Sequence, residues 1–188
     1  MESSAFKAIQ DTEHSQGVVA LVRPKRWSLN EVLEDLRSPI VVLAGLQDPG
    51  NVGTILRVAE SFGASGCIAL TGTAAIHNSK VTRASAGSVF RLPHVWNLDL
   101  DTVAGALKAR NVPLIGTSPH ATDSITSWDW RRPAAVMIGN EGAGLTREQT
   151  AACTTLLRVP HEQQTESLNS AIAAAVVLYE AYRRRNPA

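Results

Sequence analysis

Five short apolar runs alternate along this chain with segments of helical spacing, and that alternation leaves few folds open. The runs are residues 40–46, 67–70, 113–116, 134–138 and 155–159. They are continuous rather than alternating, rich in Val, Ile, Leu and Ala, and bounded by Gly, Asn, Pro or Ser. Strands buried on both faces read this way. Between them, residues 54–62, 81–88, 100–109 and 146–151 have helical character, residues 167–184 form a long alanine-rich helical stretch, and Gly63 is placed to end the first. Strand–helix alternation predicts an α/β domain: a mostly parallel sheet with helices on both faces. Upstream, residues 16–22 read as a short strand entry and residues 27–36 as a helix capped by Ser28. Residues 91–94 read as irregular.

With 188 residues, of which 44% are hydrophobic and only 5% aromatic, the chain fits one domain with an aliphatic core. We divide it into a lead-in over residues 1–16 and a domain over residues 17–188. Net charge is +1, so any nucleic-acid footprint must be local. Basic clusters stand at Arg23, Lys25 and Arg26, at Arg131 and Arg132, and at Arg183, Arg184 and Arg185; solvated surface charge explains each equally well. Cys67 and Cys153 are far apart and lack metal-ligand spacing, as expected of buried thiols in a reduced, cytoplasmic protein. No metal site, membrane span or signal peptide is read from the chain.

In parallel α/β sheets ligands collect beyond the carboxyl ends of the strands. Three such loops are rich in chemistry-bearing residues. The run NVGTILR after the first strand holds Asn51, Gly53 and Arg57, with Gly53 allowing close backbone approach and Arg57 leaning back over the helix start. A helix start with a surface arginine is the competing account. The run GNEGAGL at residues 139–145 has three glycines whose turns expose backbone amides, among which Glu141 is expected to be held; a tight connection with a solvated acid competes. The run from Val159 to Asn169 enters the alanine-rich helix, where Ser167 and Asn169 act either as caps or at an anion-facing helix start. Neither a nucleotide P-loop nor a dinucleotide fingerprint is present.

Taken in order, these runs resemble the three motifs of the SpoU/TrmH family of RNA 2′-O-ribose methyltransferases, within the SPOUT superfamily. Asn51, Gly53 and Arg57 match the first motif; Gly139, Glu141 and Gly144 the second; Pro160, Ser167, Leu168 and Asn169 the third. The run RASAGSVFRLP from Arg83 to Pro93 is a further match, and the resemblance spans about residues 17–185. It implies a C-terminal trefoil knot, S-adenosyl-L-methionine held bent within it, and methyl transfer to a ribose 2′-hydroxyl of structured RNA, either rRNA or tRNA. By the motif match Thr117, Ile138, Gly139, Gly142, Val159 and Leu168 would line the cofactor pocket. Arg57 would clamp phosphate and orient the hydroxyl, with Asn51, Glu141, Ser167 and Asn169 holding the arginine and the ribose. Arg23, Lys25, Arg26, Arg83 and Arg91 are the expected phosphate contacts. The resemblance also implies a homodimer completed across the interface, for which Leu56, Val58, Ala59 and Phe62 offer an apolar face. His161 and Gln163 depart from the family pattern, which has a glycine at the second of these positions. That departure favours the competing reading, an RNA-binding or ribosome-assembly module that keeps the fold without catalysis. Many members carry an N-terminal RNA-binding domain before a linker similar to residues 15–20; only residues 1–14 precede it here.

Overall fold

The computed structural model describes residues 17–162, 164 and 166–187. The lead-in over residues 1–16 and the Gln163 substitution therefore lie outside the described residues. The strands are β1 (Ile40–Ala44), β2 (Gly66–Leu70), β3 (His94–Leu98), β4 (Leu114–Thr117), β5 (Asp123–Ser124), β6 (Ala135–Gly139) and β7 (Thr155–Arg158). The helices are α1 (Leu29–Val32), α2 (Pro49–Ser61), α3 (Ser79–Ala84), α4 (Leu100–Ala109), α5 (Arg147–Ala152) and α6 (Ser170–Arg185), with a 3-10 turn over Ser88–Phe90. The sheet runs β3-β2-β1-β6-β4-β7-β5, and every pairing in it is parallel.

Continuous apolar runs become central strands because both faces of the sheet are covered. All five residues of β1, β2 and β6 are buried. Val41, Leu43, Val136 and Ile138 point into one core layer, which holds Val52, Ile55, Leu56 and Ala59 of α2 and Ala171, Ala174, Val177 and Leu178 of α6. Ile40, Val42, Ala135 and Met137 point the other way, against Val32 and Leu33 and against Val103 and Leu107 of α4. The period of two along each strand sends successive residues to opposite layers. Each fully buried Leu, Ile or Val contributes roughly 1.5–3 kcal/mol, which is how a chain with few aromatics sustains its core.

The α2 helix begins at Pro49, earlier than the turn-forming residues 48–53 suggest. Asp48 caps it through Gly50 N, and Pro49 occupies a first-turn position where its missing N–H costs nothing. Gly53 is thus helical, and its small size serves packing: a Cβ there would lie 2.5 Å from the Val81 carbonyl oxygen of α3. Gly63, at φ 64°, follows the helix in the left-handed region.

Other expectations need correction. Residues 17–22 form no strand, and Val18, Val19, Leu21 and Val22 are exposed. Only Leu29–Val32 of the expected helix over 27–36 is helical; Ser28 does cap it, in a capping box with Glu31. Residues 91–93 are irregular as expected, but His94 already belongs to β3, a strand not read from the sequence. It is the sheet's outer strand on the β2 side, bulged between Ile68 and Leu70 of its neighbour, with Asn97 at φ 61°. A broken register removes the continuous apolar signature. The last helix starts at Ser170, so its cap is Asn169 rather than Ser167.

The basic run at the end of α6 is structural. Arg183 and Arg184 both bond Glu180, whose side chain is 9% exposed, and Arg184 also reaches the Thr126 carbonyl. Arg185 bonds Ser38 and the carbonyls of Phe62 and Ala181. Cys67 is buried and its thiol is pushed up by desolvation; burial also raises Cys153, to about 11. Such thiols are poor nucleophiles. Among the described residues no helix is long and apolar enough to cross a membrane, and no cluster of three His, Cys, Asp or Glu is placed to hold a metal.

Candidate active site

Strand order changes direction beside β1, between strands reached on the outward path (β2, β3) and those reached on return (β6, β4, β7). The site lies at the carboxyl ends of these returning strands, the usual ligand position in such sheets. A cavity of about 820 Å³ is bounded there by the loops after β4, β6 and β7 and by the start of α6. Its volume is within the roughly 300–1,000 Å³ typical of small-molecule sites.

Thr117, Ile138, Gly139, Gly142, Val159 and Leu168 all line this cavity, as do Glu141 and Ser167. Gly139 is fixed by space: a Cβ on it would fall 2.5 Å from the Gly144 carbonyl carbon and 2.7 Å from Leu145 N. Three glycines in this loop suggest several left-handed turns, but only Gly144, at φ 67°, uses one. Thr117 donates its hydroxyl to the Met137 carbonyl at 3.1 Å, tying the end of β4 to β6.

Register explains the polar framework. Ala44 pairs with Gly139, so the loops after β1 and β6 leave the sheet side by side. Asn140 donates from Nδ2 to the Gly45 carbonyl at 2.9 Å and accepts at Oδ1 from the amides of Gly142 and Ala143, each at 3.0 Å. The amides of Gly142 and Ala143 therefore hold Asn140, and of this loop only its own backbone reaches the Glu141 carboxylate. Glu141 is held by the neighbouring loop. Its carboxylate accepts from Gln47 N at 3.3 Å, Asp48 N at 3.2 Å and Asn51 Nδ2 at 3.2 Å. Partial burial pushes its pKa upward, but the hydrogen bonds from its own backbone, Asn51, Gln47 and Asp48 outweigh this and hold it below the ordinary glutamate value. At neutral pH Glu141 is a carboxylate.

Asn51 continues the chain. Its Oδ1 accepts from Asn169 Nδ2 at 3.2 Å, while Asn169 Oδ1 caps α6 through Ala171 N and Ile172 N. Hydrogen bonds thus join one residue from each of the three motif runs. Beside them, the bond from Gly50 N, together with one from Lys80 at 3.0 Å, lowers the pKa of Asp48.

Arg57 stands apart. It is exposed on α2, it is not among the cavity's lining residues, and among the described residues its guanidinium has no hydrogen-bond or ion-pair partner. Of the five basic residues expected to meet phosphate, Arg23, Lys25, Arg26 and Arg83 are exposed, and Lys25 sits 5.3 Å over the Trp27 ring. Arg91 is committed elsewhere, forked onto Glu60 at 2.5 and 2.7 Å, with Ser88 donating to the same carboxylate. Sequence reasoning missed His120, Arg158, His161, Glu166 and Ser170 on the cavity wall. His120 and Arg158 were readable from the strand-end rule, since His120 follows β4 by three residues and Arg158 ends β7; the others lie in or after the irregular third run.

Residues 38–179 match the model of the SpoU rRNA Methylase family. The chain is 33% identical over 189 residues to a 23S rRNA (guanosine-2′-O-)-methyltransferase, RlmB, from Ralstonia nicotianae, covering 98% of this chain and 76% of that protein. It superposes on the SpoU methyltransferase AviRb from Streptomyces viridochromogenes, solved in complex with the cofactor AdoMet, at a TM-score of 0.81 and 32% identity, covering 86% of this chain and 66% of that one. An AdoMet-bound rRNA methyltransferase from Sinorhizobium meliloti gives 0.76 and 32%, covering 85% and 61%. The sheet and its flanking helices match the knotted SPOUT architecture of these relatives, and this chain spans about two thirds of the length of the solved ones. The protein belongs to the SpoU rRNA Methylase family, and its domain is that of an S-adenosylmethionine-dependent RNA 2′-O-ribose methyltransferase.

Proposed function

We propose that this domain methylates a ribose 2′-hydroxyl in structured rRNA or tRNA, that its cavity holds S-adenosylmethionine, and that the Glu141–Asn51–Asn169 chain organises the reacting end. The observation that carries this is the joining of the three motif runs by a chain of hydrogen bonds that ends on Glu141, a residue of the cavity wall.

The cavity suits the cofactor. Ile138, Leu145, Val159 and Leu168 give it apolar walls, and Gly139 lets the β6 loop turn back without a side chain in the way. Thr117, Gly142 and the residues around them would hold the cofactor at the strand ends. When bound, the sulfonium supplies an electrophilic methyl group. The protein's task is then to place the 2′-oxygen in line and help remove its proton.

Glu141 is a fixed anion in this reading. It spends its oxygens on Gln47, Asp48 and Asn51, and so sets the orientation of the Asn51 carboxamide. Asn51 in turn orients Asn169, and with Ser167 these groups hold the ribose. Arg57 keeps its five N–H donors for the RNA, clamping phosphate and orienting the hydroxyl.

The placement of Arg57 favours a homodimer. On α6, Ile172, Val176, Tyr179 and Tyr182 are 38–53% exposed. Phe62, which follows α2, meets the Tyr179 and Tyr182 rings at centroid distances of 5.6 and 6.0 Å. This apolar surface adjoins the helix carrying Arg57. Leu56 and Ala59, expected on such a face, are instead wholly buried in the core, leaving Val58 and Phe62 as the α2 contribution. We place the dimer contact on this α2–α6 face, with Arg57 of one protomer serving the cavity of the other. Free thiols, Cys67 buried and Cys153 half-buried, accord with a cytoplasmic setting.

The deciding experiment is methyl transfer from labelled S-adenosylmethionine to rRNA and tRNA by wild type and Arg57→Ala. We expect label in ribose 2′-O-methyl nucleosides, lost in the variant while cofactor affinity is kept. Near-normal turnover by Arg57→Ala would refute the assignment.

A further inference from the structure

The cavity wall carries a hydrogen-bonding residue that the fold leaves unused. Ser170 lines the cavity and is 7% exposed, and its hydroxyl oxygen is shielded from solvent with no hydrogen-bond partner among the described residues. Buried polar side chains without partners are uncommon, because desolvation of a hydroxyl is costly when no bond offsets it.

Its backbone N–H also lacks an acceptor among the described residues. Ser170 is the first residue of the 16-residue helix α6. Asn169 Oδ1 takes the amides of Ala171 and Ile172, and Ala173 N bonds to the Asn169 carbonyl at 2.8 Å. Among the described residues, the Ser170 N–H is the amide of this first turn left without an acceptor. Two donors of one residue thus stand together at the positive end of a long helix, where an electron-rich group is favoured.

Resting on the methyltransferase reading, we propose that Ser170 is a positioning residue for the methyl donor: its hydroxyl and amide donate to an acceptor atom of bound S-adenosylmethionine. Asn169, the neighbouring residue, belongs to the chain through Asn51 to Glu141. The same helix start would thus fix both the cofactor and the reacting end.

The test separates a ligand contact from a structural one. S-adenosylhomocysteine and methylthioadenosine are titrated calorimetrically into wild type and Ser170→Ala, and the ligand-free proteins are melted. A hydroxyl kept for the ligand predicts roughly two- to tenfold weaker binding of S-adenosylhomocysteine by the variant. It also predicts a ligand-free Tm equal to or above wild type, since an unpaired buried hydroxyl has been removed. A parallel loss with methylthioadenosine assigns the contact to the adenosine half, and a loss confined to S-adenosylhomocysteine assigns it to the amino-acid half. Unchanged affinity, or a lowered Tm with unchanged affinity, overturns the proposal. If wild type itself binds neither ligand, the methyltransferase reading fails along with it.

Discussion

Asn51 donates from Nδ2 to Glu141 Oε1 at 3.2 Å, linking the first turn of α2 to the loop after β6 across 90 residues of chain. A carboxamide is suited to this place because it has a donor for Glu141 and an acceptor for Asn169. Asparagine to aspartate keeps the shape and removes the donor, setting two carboxylates face to face. Asn51→Asp is therefore expected to be worse than Asn51→Ala, both in methyl transfer and in Tm. The alanine variant loses both bonds and should cost about 1–3 kcal/mol of stability, twice the usual net value of a hydrogen bond. Thermal melts and single-turnover methylation check the order. An aspartate variant at least as active as the alanine one would show that the Glu141–Asn51 bond does not orient the site.

Glu60 makes the pH dependence of stability predictable. The fork from Arg91, aided by Ser88, holds its carboxyl below the ordinary value against the opposing effect of burial. Glu141 is shifted the same way. A folded-state pKa below the unfolded one contributes stability above the unfolded value, about 4.3 for glutamate. That contribution disappears as pH falls through the lower, folded value. Chemical denaturation from pH 7 downward should show stability falling below about pH 4.3, with a shallower acid limb in Glu60→Gln. Identical limbs in wild type and variant would remove Glu60 from the account.

Most of the sheet was readable because β1, β2, β4, β6 and β7 are continuous apolar runs with clear punctuation. The outer strand β3 was not, since its bulge breaks the pattern and its residues are only partly buried. The residues expected to hold the cofactor fall together: strand-end position and the family's motifs gathered six residues that line one cavity. What holds Glu141 was not legible, because it depends on β1 and β6 lying side by side, a relation between segments 90 residues apart. Arg91 shows a related limit. A basic residue in a matching run reads as a phosphate contact until its partner, Glu60, is seen 31 residues away.

The Gly139 backbone is packed too closely for any side chain. A Cβ would meet the backbone of Gly144 and Leu145 at 2.5–2.7 Å, and neither is a flexible side-chain end that moves cheaply. Gly139→Ala is expected to cost about 1–3 kcal/mol, typical of overpacking, and to weaken S-adenosylhomocysteine binding by displacing the loop. Gly105 on α4, where a Cβ meets nothing within 4 Å, is the control: Gly105→Ala should hold or raise Tm. Equal Tm values for the two variants would contradict the packing argument.

RNA affinity should fall as salt rises, with a slope set by the number of phosphates neutralised. Arg91 and the segment at Arg23, Lys25 and Arg26 make opposite predictions within that measurement. Arg91→Ala releases Glu60 and should lower Tm while leaving the slope close to wild type. Removing the charges of Arg23, Lys25 and Arg26 together should reduce the slope by about 0.7–0.9 for each phosphate no longer neutralised and leave Tm unchanged. A slope insensitive to the triple variant would place the RNA on another face.

The dimer assignment has a strict test, because an arginine acting across the interface can be complemented. Let Arg57→Ala and Glu141→Gln each be inactive alone. In a mixed dimer, the Arg57→Ala protomer keeps an intact cavity, and its partner supplies an intact arginine, so one of the two sites is whole. Random mixing makes half of the dimers mixed, and full exchange should therefore restore about a quarter of wild-type activity. An arginine acting on its own protomer's cavity restores nothing, because every site then lacks either Arg57 or Glu141. Light scattering on the same samples reports whether dimers form, and Val176→Asp, which places a charge on the exposed α6 face, should yield monomers and abolish the restoration. Mixed samples that dimerise but stay inactive would return Arg57 to its own chain.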